Sequence, residues 1–212
     1  MMFAAFFISN DEEWIFLISI NNKVPKLFII AGCNGAGKTT ASYTILPELL
    51  NIKEFVNADE IARGLSPFQP ETVSLEAGRI MLKRIDELIS QRIDFAFETT
   101  LSTRSFMGLC RSAREKGYTV HLVFLWLDNS KMAIQRVKQR VSEGGHHVPE
   151  YTIVRRYKRG LSNFHNLYKG LVDDWLFFDN SEEDQELLAI GNLNGRLFVH
   201  DQHRWQKTVQ YD

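Results

Sequence analysis

Cysteine, net charge and long apolar runs are all scarce in this sequence, and each scarcity excludes a class of protein. The 212 residues include two cysteines, Cys33 in a glycine-rich loop and Cys110 in a predicted helix, so no disulfide framework is implied. The formal net charge is -1, whereas dedicated nucleic-acid binders usually carry a basic excess. The uninterrupted apolar runs are too short to span a bilayer. We therefore predict a cytoplasmic protein that binds neither nucleic acid nor a membrane.

The first 23 residues differ in character from the rest of the chain. Two apolar stretches, at 3–8 and 14–20, are split by three acidic residues, and neither a basic region nor a small-residue cleavage site marks a signal peptide. We expect residues 1–23 to be an appendage outside the core, with a membrane or partner contact as the alternative. Residues 24–212 are predicted to form one globular domain, since 44% of the chain is hydrophobic.

Apolar stretches of strand length alternate with stretches of helical periodicity along the chain. Strands are predicted at about 27–31, 55–57, 95–97, 119–127 and 175–178, with helices between them. This alternation predicts an α/β fold, a parallel sheet flanked by helices on both faces. After residue 179 the pattern changes to a small C-terminal hairpin at about 186–200. In parallel sheets of this kind ligands bind at the carboxyl ends of the strands.

A glycine-rich loop separates the first predicted strand from a helix-compatible run, and it is typical of a P-loop NTPase. The loop with the residue after it reads Gly32, Cys33, Asn34, Gly35, Ala36, Gly37, Lys38, Thr39 and Thr40. Glycines let successive backbone N–H groups turn inward as a nest for phosphate oxygens, and the helix N-terminus adds positive charge. Lys38 is expected to reach the terminal phosphates, and the Thr39 hydroxyl to ligate Mg²⁺. We therefore predict that the loop binds a nucleotide, with ATP and Mg²⁺ as the cofactors.

Two carboxylates directly follow predicted strands. Asp59 comes just after the second strand, and phosphoryl transfer needs a carboxylate that orients the attacking hydroxyl and accepts its proton. Asp59 is our candidate base; the alternative is that it caps the following helix, and the two roles are compatible. Glu98 ends the third strand and precedes Thr99 and Thr100, a group that suits a hydroxyl-rich substrate. The alternative for Glu98 is strand-end solvation beside a capping threonine.

Asp128 and a set of arginines complete the candidate residues. Asp128 ends the fourth strand, so it either helps to hold Mg²⁺ or caps the next helix. Two helices joined by a Gly-Gly loop, at about 130–165, carry Arg136, Arg140, Arg155, Arg156 and Arg159. We predict that this segment is a lid that closes over the phosphates, where arginine neutralises charge on the transferred phosphoryl group.

Taken together and in this order, several stretches resemble the zeta toxin family of phosphate-loop kinases. The matching stretches are residues 31–40 (AGCNGAGKTT), 57–62 (NADEIA), 95–101 (FAFETTL) and 144–146 (GGH) within the lid. The resemblance covers residues from about 26 to 181. Cys33 stands where the family often has proline, which the loop should tolerate because its backbone makes the phosphate contacts.

The resemblance implies an ATP-dependent kinase that acts on UDP-N-acetylglucosamine or a related nucleotide sugar. It implies that Asp59 is the base and that Lys38 contacts the phosphates. Arg140 and one of Arg155 and Arg156 are implied to approach the transferred phosphate. Because zeta toxins are neutralised by a small helical antitoxin, the resemblance also suggests such a partner.

The resemblance and the local sequence also assign the two binding sites. By resemblance, Glu98 and Thr100 help to bind the sugar nucleotide, and Asn180 lies where adenine packs in related kinases. Thr99 adds a second hydroxyl beside Glu98. Arg79, on the helix between these motifs, is placed at the diphosphate from its spacing alone.

Three other functions compete with a nucleotide-sugar kinase. A GTPase-type switch would carry an Asn-Lys-x-Asp motif, but Asn22-Lys23 lacks the aspartate and precedes the first strand. A kinase of another small hydroxyl metabolite, or of a nucleic-acid 5′ end, is the main rival. A polynucleotide site should interleave basic and aromatic residues, whereas here the basic residues cluster in the lid. The third competitor is a module that binds ATP without turning it over.

Overall fold

The computed structural model describes residues 24–48, 50–145 and 147–210. Their strands form a single seven-stranded sheet in the order β2-β3-β1-β4-β5-β6-β7. The strands are β1 (Lys26–Gly32), β2 (Glu54–Val56), β3 (Phe95–Thr99), β4 (Thr119–Trp126), β5 (Asp174–Asp179), β6 (Glu186–Asn192) and β7 (Leu197–Val199). The first five pair in parallel and the last two antiparallel. The predicted α/β fold is thus confirmed, while the appendage predicted at 1–23 and His146 of the lid motif lie outside the described residues.

Helices follow the parallel strands in alternation and cover the sheet. They are α1 (Lys38–Glu48), α2 (Ala58–Leu65), α3 (Ser74–Gln91), α4 (Phe106–Glu115), α5 (Ser130–Ser142), α6 (Glu150–Asn166) and α7 (Gln202–Val209), with 3₁₀ turns at Pro70–Val73 and Tyr168–Gly170. No helix of the described part of the chain is both long and apolar enough to cross a membrane.

Strand β1, the middle one of the five parallel strands, is buried on both faces, and its alternating side chains pack into two separate cores. Leu27 and Ile29 pack into one core with α3, α4 and much of α6, while Phe28 and Ile30 pack into the other with α1 and α5. Because successive residues of a strand point to opposite faces, one continuous apolar run serves both layers. β1 is therefore packed on both sides, and the glycine-rich loop follows directly from its end.

The C-terminal region agrees with the prediction in part. The hairpin exists, but its first strand β6 pairs with β5, so the hairpin continues the main sheet. Helix α7 follows it and was not predicted. Trp205 of α7 stacks on Trp175 of β5 at a ring separation of 5.8 Å and an angle of 4°. The stacking anchors α7 to the sheet, near the start of β5.

Candidate functional site

The glycine-rich loop requires its glycines for two physical reasons. Gly32, Gly35 and Gly37 have φ of 144°, 81° and 79°, a region that other residues rarely adopt. A Cβ on Gly32 would lie 2.4 Å from the Leu125 carbonyl oxygen, and one on Gly35 would lie 2.8 Å from that of Ala133. The loop backbone is therefore packed tightly against β4 and α5. Burial raises the pKa of the Cys33 thiol to about 11, so this side chain stays protonated and fills space.

Lys38, Thr39 and Glu98 form a buried polar cluster where the loop enters α1. The Lys38 ammonium lies 3.4 Å from one Glu98 carboxylate oxygen and donates to the Cys33 carbonyl at 3.0 Å. The Thr39 hydroxyl donates to the other Glu98 oxygen at 2.7 Å. β3 lies beside β1 in the sheet, which is why Glu98 reaches the loop from the end of that strand. The structure thus places Glu98 against Lys38 and Thr39 of the loop, and its contact with substrate stays a prediction.

The Thr39–Glu98 pair is also the part of the site that fits Mg²⁺. Magnesium prefers oxygen ligands and usually completes its shell with substrate phosphates and water. No group of three or more His, Cys, Asp or Glu side chains able to hold a metal occurs within the described ranges. A hydroxyl and a carboxylate beside the glycine-rich loop suit a metal that would arrive with a nucleotide.

Asp128, our other candidate for a magnesium ligand, is exposed and follows the end of β4. Its carboxylate pairs with Lys207 of α7 at 3.3 Å. The cap of α5 is Asn129, whose side chain accepts the Met132 backbone N–H. The structure thus contradicts the alternative that Asp128 caps this helix, and its carboxylate is engaged by a residue distant in sequence.

Asp59 lies at the start of α2, with a neighbour performing the capping role. The Asn57 side-chain oxygen accepts the backbone N–H groups of Asp59 and Glu60 at 2.8 and 3.4 Å. The interpretation of Asp59 as the N-cap is therefore wrong. The same Asn57 amide donates to Glu98 at 2.9 Å, which links α2 to the polar cluster. Asp59 is exposed and lines a small cavity of about 80 Å³ together with Thr39 and Arg140.

The lid arginines take distinct positions. Arg156 is half-buried and donates to the side chain of Asn34 in the loop at 3.0 Å, whereas Arg155 is exposed. Burial lowers the pKa of the Arg156 guanidinium, and the Asp59 carboxylate opposes that shift. Arg140 lines the small cavity. Of the two neighbouring arginines on α6, Arg156 is the one that the structure brings to the loop.

A larger cavity of about 310 Å³ lies on the other flank of the loop. It is lined by Gly37, Thr40, Ala41 and Thr44 at the start of α1, and by Arg136, Asn180 and residues 182–185. The buried Asn180 amide donates to the Ala36 carbonyl at 2.8 Å. Arg136 donates to the Asn180 and Ser181 carbonyls at 2.7 and 2.8 Å, so it builds the wall of this cavity. Arg136 was predicted, with the other lid arginines, to face the phosphates, and its guanidinium holds these two carbonyls.

The other predicted substrate residues, Thr99, Thr100 and Arg79, show no contact with Lys38, Thr39 or Glu98 among the hydrogen bonds of the described residues. The Thr99 hydroxyl accepts the Leu101 backbone N–H at 3.0 Å, and the hydroxyls of Thr100 and Ser102 lie 2.9 Å apart. Leu101 has a φ of 55°, a strained value for a buried leucine, and this turn ends β3 next to the site. Arg79 is exposed on α3 and is not part of the lining of the small cavity. Its contact with a diphosphate stays a prediction.

Comparisons with known proteins give both sequence and structural relatives. The sequence model of the zeta toxin family matches residues 17–185. An uncharacterized protein of Haemophilus influenzae is 31% identical over 132 residues, which are 62% of this chain and 92% of that protein.

Among solved structures, a chain of the AvrRxo1-ORF1:AvrRxo1-ORF2 complex aligns with a TM-score of 0.71 and 20% identity, over 87% of this chain. The present chain spans 63% of that relative's length. A crystal structure of the same complex with ATP aligns with a TM-score of 0.68 and 19% identity, over 87% of this chain and 63% of that one. A chain of the PezAT toxin–antitoxin system of Streptococcus pneumoniae aligns with a TM-score of 0.59 and 14% identity, over 95% of each chain. At these sequence identities the solved structures show a shared fold. Because the family model covers most of the sequence, the chain belongs to the zeta toxin family of P-loop kinases.

Proposed function

We propose that this protein is an ATP-dependent kinase that phosphorylates a hydroxyl of a nucleotide sugar, with UDP-N-acetylglucosamine as the foremost candidate. The observation that carries the proposal is the small cavity, where Asp59, Thr39 of the phosphate loop and Arg140 of the lid meet. This is the combination that phosphoryl transfer needs: a carboxylate for the acceptor, a loop for the donor phosphates and a cation for the developing charge.

The geometry suggests how the chain's own residues perform the reaction. ATP places its phosphates in the nest of residues 32–39, and Lys38 turns from Glu98 toward them. Asp59 accepts the proton of the acceptor hydroxyl as its oxygen forms a bond to the γ-phosphorus and the bond to the ADP oxygen breaks. Arg140 and Arg156 face the charge on the transferred group. Mg²⁺, held by the Thr39 hydroxyl with Glu98 beside it, would supply further neutralisation of the phosphate charge.

The large cavity is the proposed site of the adenosine part of ATP. It adjoins Gly37 and Thr40, so a nucleotide whose phosphates occupy the loop can extend into it. The AvrRxo1-ORF1:ORF2 complex, whose chain shares this fold, has been crystallised with ATP. Asn180 lies in the cavity wall, in agreement with its proposed place beside adenine.

The nucleotide-sugar part of the proposal rests on the family and on the polarity of the small cavity. Its wall carries the carboxylates of Asp59, Glu60 and Glu71, which can accept from sugar hydroxyls, and the cations of Arg63 and Arg140, which suit a diphosphate. Thr100 and Glu98 lie at the end of β3, close to the same region. Two structural relatives come from two-component complexes, AvrRxo1-ORF1:ORF2 and PezAT. We extend the proposal to a small antitoxin-like partner for this chain.

The test is to incubate the protein with ATP, Mg²⁺ and a panel of nucleotide sugars, nucleosides and 5′-hydroxyl oligonucleotides. Mass spectrometry should detect one added phosphate on UDP-N-acetylglucosamine or a related nucleotide sugar. The Asp59→Asn variant should form this product about 10²–10⁴-fold more slowly. Phosphate that appears only on oligonucleotides or simple metabolites would refute a nucleotide sugar as the acceptor, but it would still support kinase activity. ATP binding without transfer to any acceptor would favour a non-catalytic module.

A further inference from the structure

Helix α7 lies outside the residues that match the family, yet it contacts Asp179, which is next to Asn180 in the wall of the proposed nucleotide site. The family match ends at residue 185, and α7 begins at Gln202. Its first turn carries Arg204, whose guanidinium bonds to three carboxylates. Two of them, Asp201 and Glu186, belong to the helix cap and to β6. The third belongs to Asp179, which ends β5 next to Asn180.

Asp179 is the residue through which α7 can influence the nucleotide. Its side chain is only 8% exposed, and one carboxylate oxygen accepts from Arg204 at 3.1 Å. The other oxygen accepts the Ser181 backbone N–H at 3.0 Å and so fixes the turn that follows β5. A buried carboxylate is costly without a cation, so the charge of Arg204 is what allows Asp179 to remain in this position.

The turn that Asp179 fixes forms one wall of the large cavity. Asn180 bonds to the Ala36 carbonyl at 2.8 Å and lies against Gly37, where an added Cβ would come within 2.6 Å of the Asn180 amide nitrogen. The carbonyls of Asn180 and Ser181 hold Arg136. A continuous chain of contacts therefore runs from Arg204 through Asp179 and Asn180 to the phosphate loop.

We propose that Arg204 is a positioning residue for nucleotide binding. Helix α7 then contributes to ATP affinity without contacting the nucleotide. This inference rests on the proposed function, because it takes the large cavity as the place of the adenosine. Arg204 does not line that cavity itself; it acts by neutralising Asp179 and thereby holding residues 179–181 in their binding conformation.

The experiment compares ATP binding by the full-length protein and its variants, using isothermal titration calorimetry with Mg²⁺ present. Arg204→Met should raise the Kd for ATP by about tenfold, because a buried charge loses its partner. The kcat at saturating ATP should change by less than about threefold, since the lost contact affects binding in the ground state and in the transition state alike. Asp179→Asn in the Arg204→Met background should restore binding, because asparagine carries no charge and its oxygen still accepts the Ser181 N–H.

The matched control is Lys207→Met, which removes one positive charge from the same helix. Lys207 pairs with Asp128 on an exposed surface, with the two side chains 48% and 41% exposed, so ATP binding should not change. If Arg204→Met does not fold, Arg204→Lys keeps a cation on the helix and should give a smaller rise in Kd.

Two outcomes would overturn the inference while sparing the kinase assignment. The first is wild-type ATP affinity in a folded Arg204→Met variant that merely melts earlier. The second is a double variant that binds ATP no better than Arg204→Met does. Absence of ATP binding by the wild-type protein would refute the proposed function itself, and this inference with it.

Discussion

At the scale of single residues, Asn57 and Asp59 divide two roles: Asn57 caps α2, and Asp59 is left to line the small cavity. Asn57 is 6% exposed and caps α2 with its oxygen while its amide nitrogen bonds to Glu98. The Asp59 carboxylate is therefore not engaged in capping and lies at the wall of the small cavity. The residue that stabilises the helix and the residue proposed for chemistry are two positions apart in sequence.

This division predicts that Asp59→Asn separates activity from stability. Loss of a general base should lower kcat by about 10²–10⁴-fold. The melting temperature should hardly change, because the Asn57 cap, typically worth about 1 kcal/mol, remains in place. Steady-state ADP formation and thermal unfolding measure the two quantities. Glu60→Gln is the control from the same cavity wall and should reduce kcat far less; a large loss of stability with normal turnover in Asp59→Asn would make Asp59 structural.

Residue identity allowed the candidates to be named from sequence, but it did not reveal their partners. Glu98 was predicted at a strand end, whereas its contacts with Lys38 and Thr39 depend on β3 lying beside β1. Asp128 was predicted either to help hold magnesium or to cap the next helix. Asn129 is the cap, and the Asp128 carboxylate pairs with Lys207, 79 positions away in the chain, while its role at magnesium stays a prediction. A single sequence carries no signal for such a distant pairing, so contacts of this kind could not be predicted.

At the scale of elements, the orientation of α6 determines which of two adjacent arginines faces the glycine-rich loop. Successive residues on an α-helix point about 100° apart, so Arg155 and Arg156 of α6 cannot both face the loop. Packing of α6 through Ile153, Leu161 and Phe164 orients the helix so that Arg156 reaches Asn34. The sequence predicted the helix and its arginines, and left open which of the two would make the contact.

Arg156→Lys is predicted to impair turnover more than ATP affinity. Lysine keeps the charge but lacks the planar fork that matches phosphate oxygens, and the contact matters most as charge develops in transfer. We expect kcat to fall by about 10- to 100-fold. The matched variant Arg155→Lys, on the exposed side of the same helix, should behave as wild type. Normal kcat in Arg156→Lys, or an equal loss in both variants, would show that this lid contact has no specific role.

Helix α7 marks where element prediction from sequence fails. It has eight residues, of which Trp205 and Thr208 are buried, too few to give a clear helical period. The hairpin before it was predicted from the turn at 192–195, but its pairing with β5 was not, because turn residues carry no information about the neighbouring strand. Hydrophobic periodicity therefore predicted the long helices and strands, whereas α7 and the pairing of β6 with β5 became known only from the structure.

At the scale of the whole molecule, function follows from strand order. The order β2-β3-β1-β4-β5 places the ends of β2 and β3, and with them Asp59 and Glu98, on one side of the glycine-rich loop. The end of β5, with Asn180, lies on the other side. The loop at the end of β1 therefore separates a small cavity lined by the proposed base from a large cavity suited to a nucleotide. The parallel sheet and its carboxyl-end site could be predicted from the sequence, but the strand order could not.

The central claim is that the loop at residues 32–39 holds ATP for transfer of its terminal phosphate. The most direct measurement is the rate of phosphate transfer from labelled ATP by the wild-type protein and by Lys38→Ala, both shown to be folded by circular dichroism. Lys38 lies within the loop cluster and contacts Cys33 and Glu98, outside both apolar cores, so the variant should keep its fold. Transfer should be abolished in Lys38→Ala. Transfer at the wild-type rate by this variant would contradict the claim that the loop at residues 32–39 holds ATP for phosphate transfer.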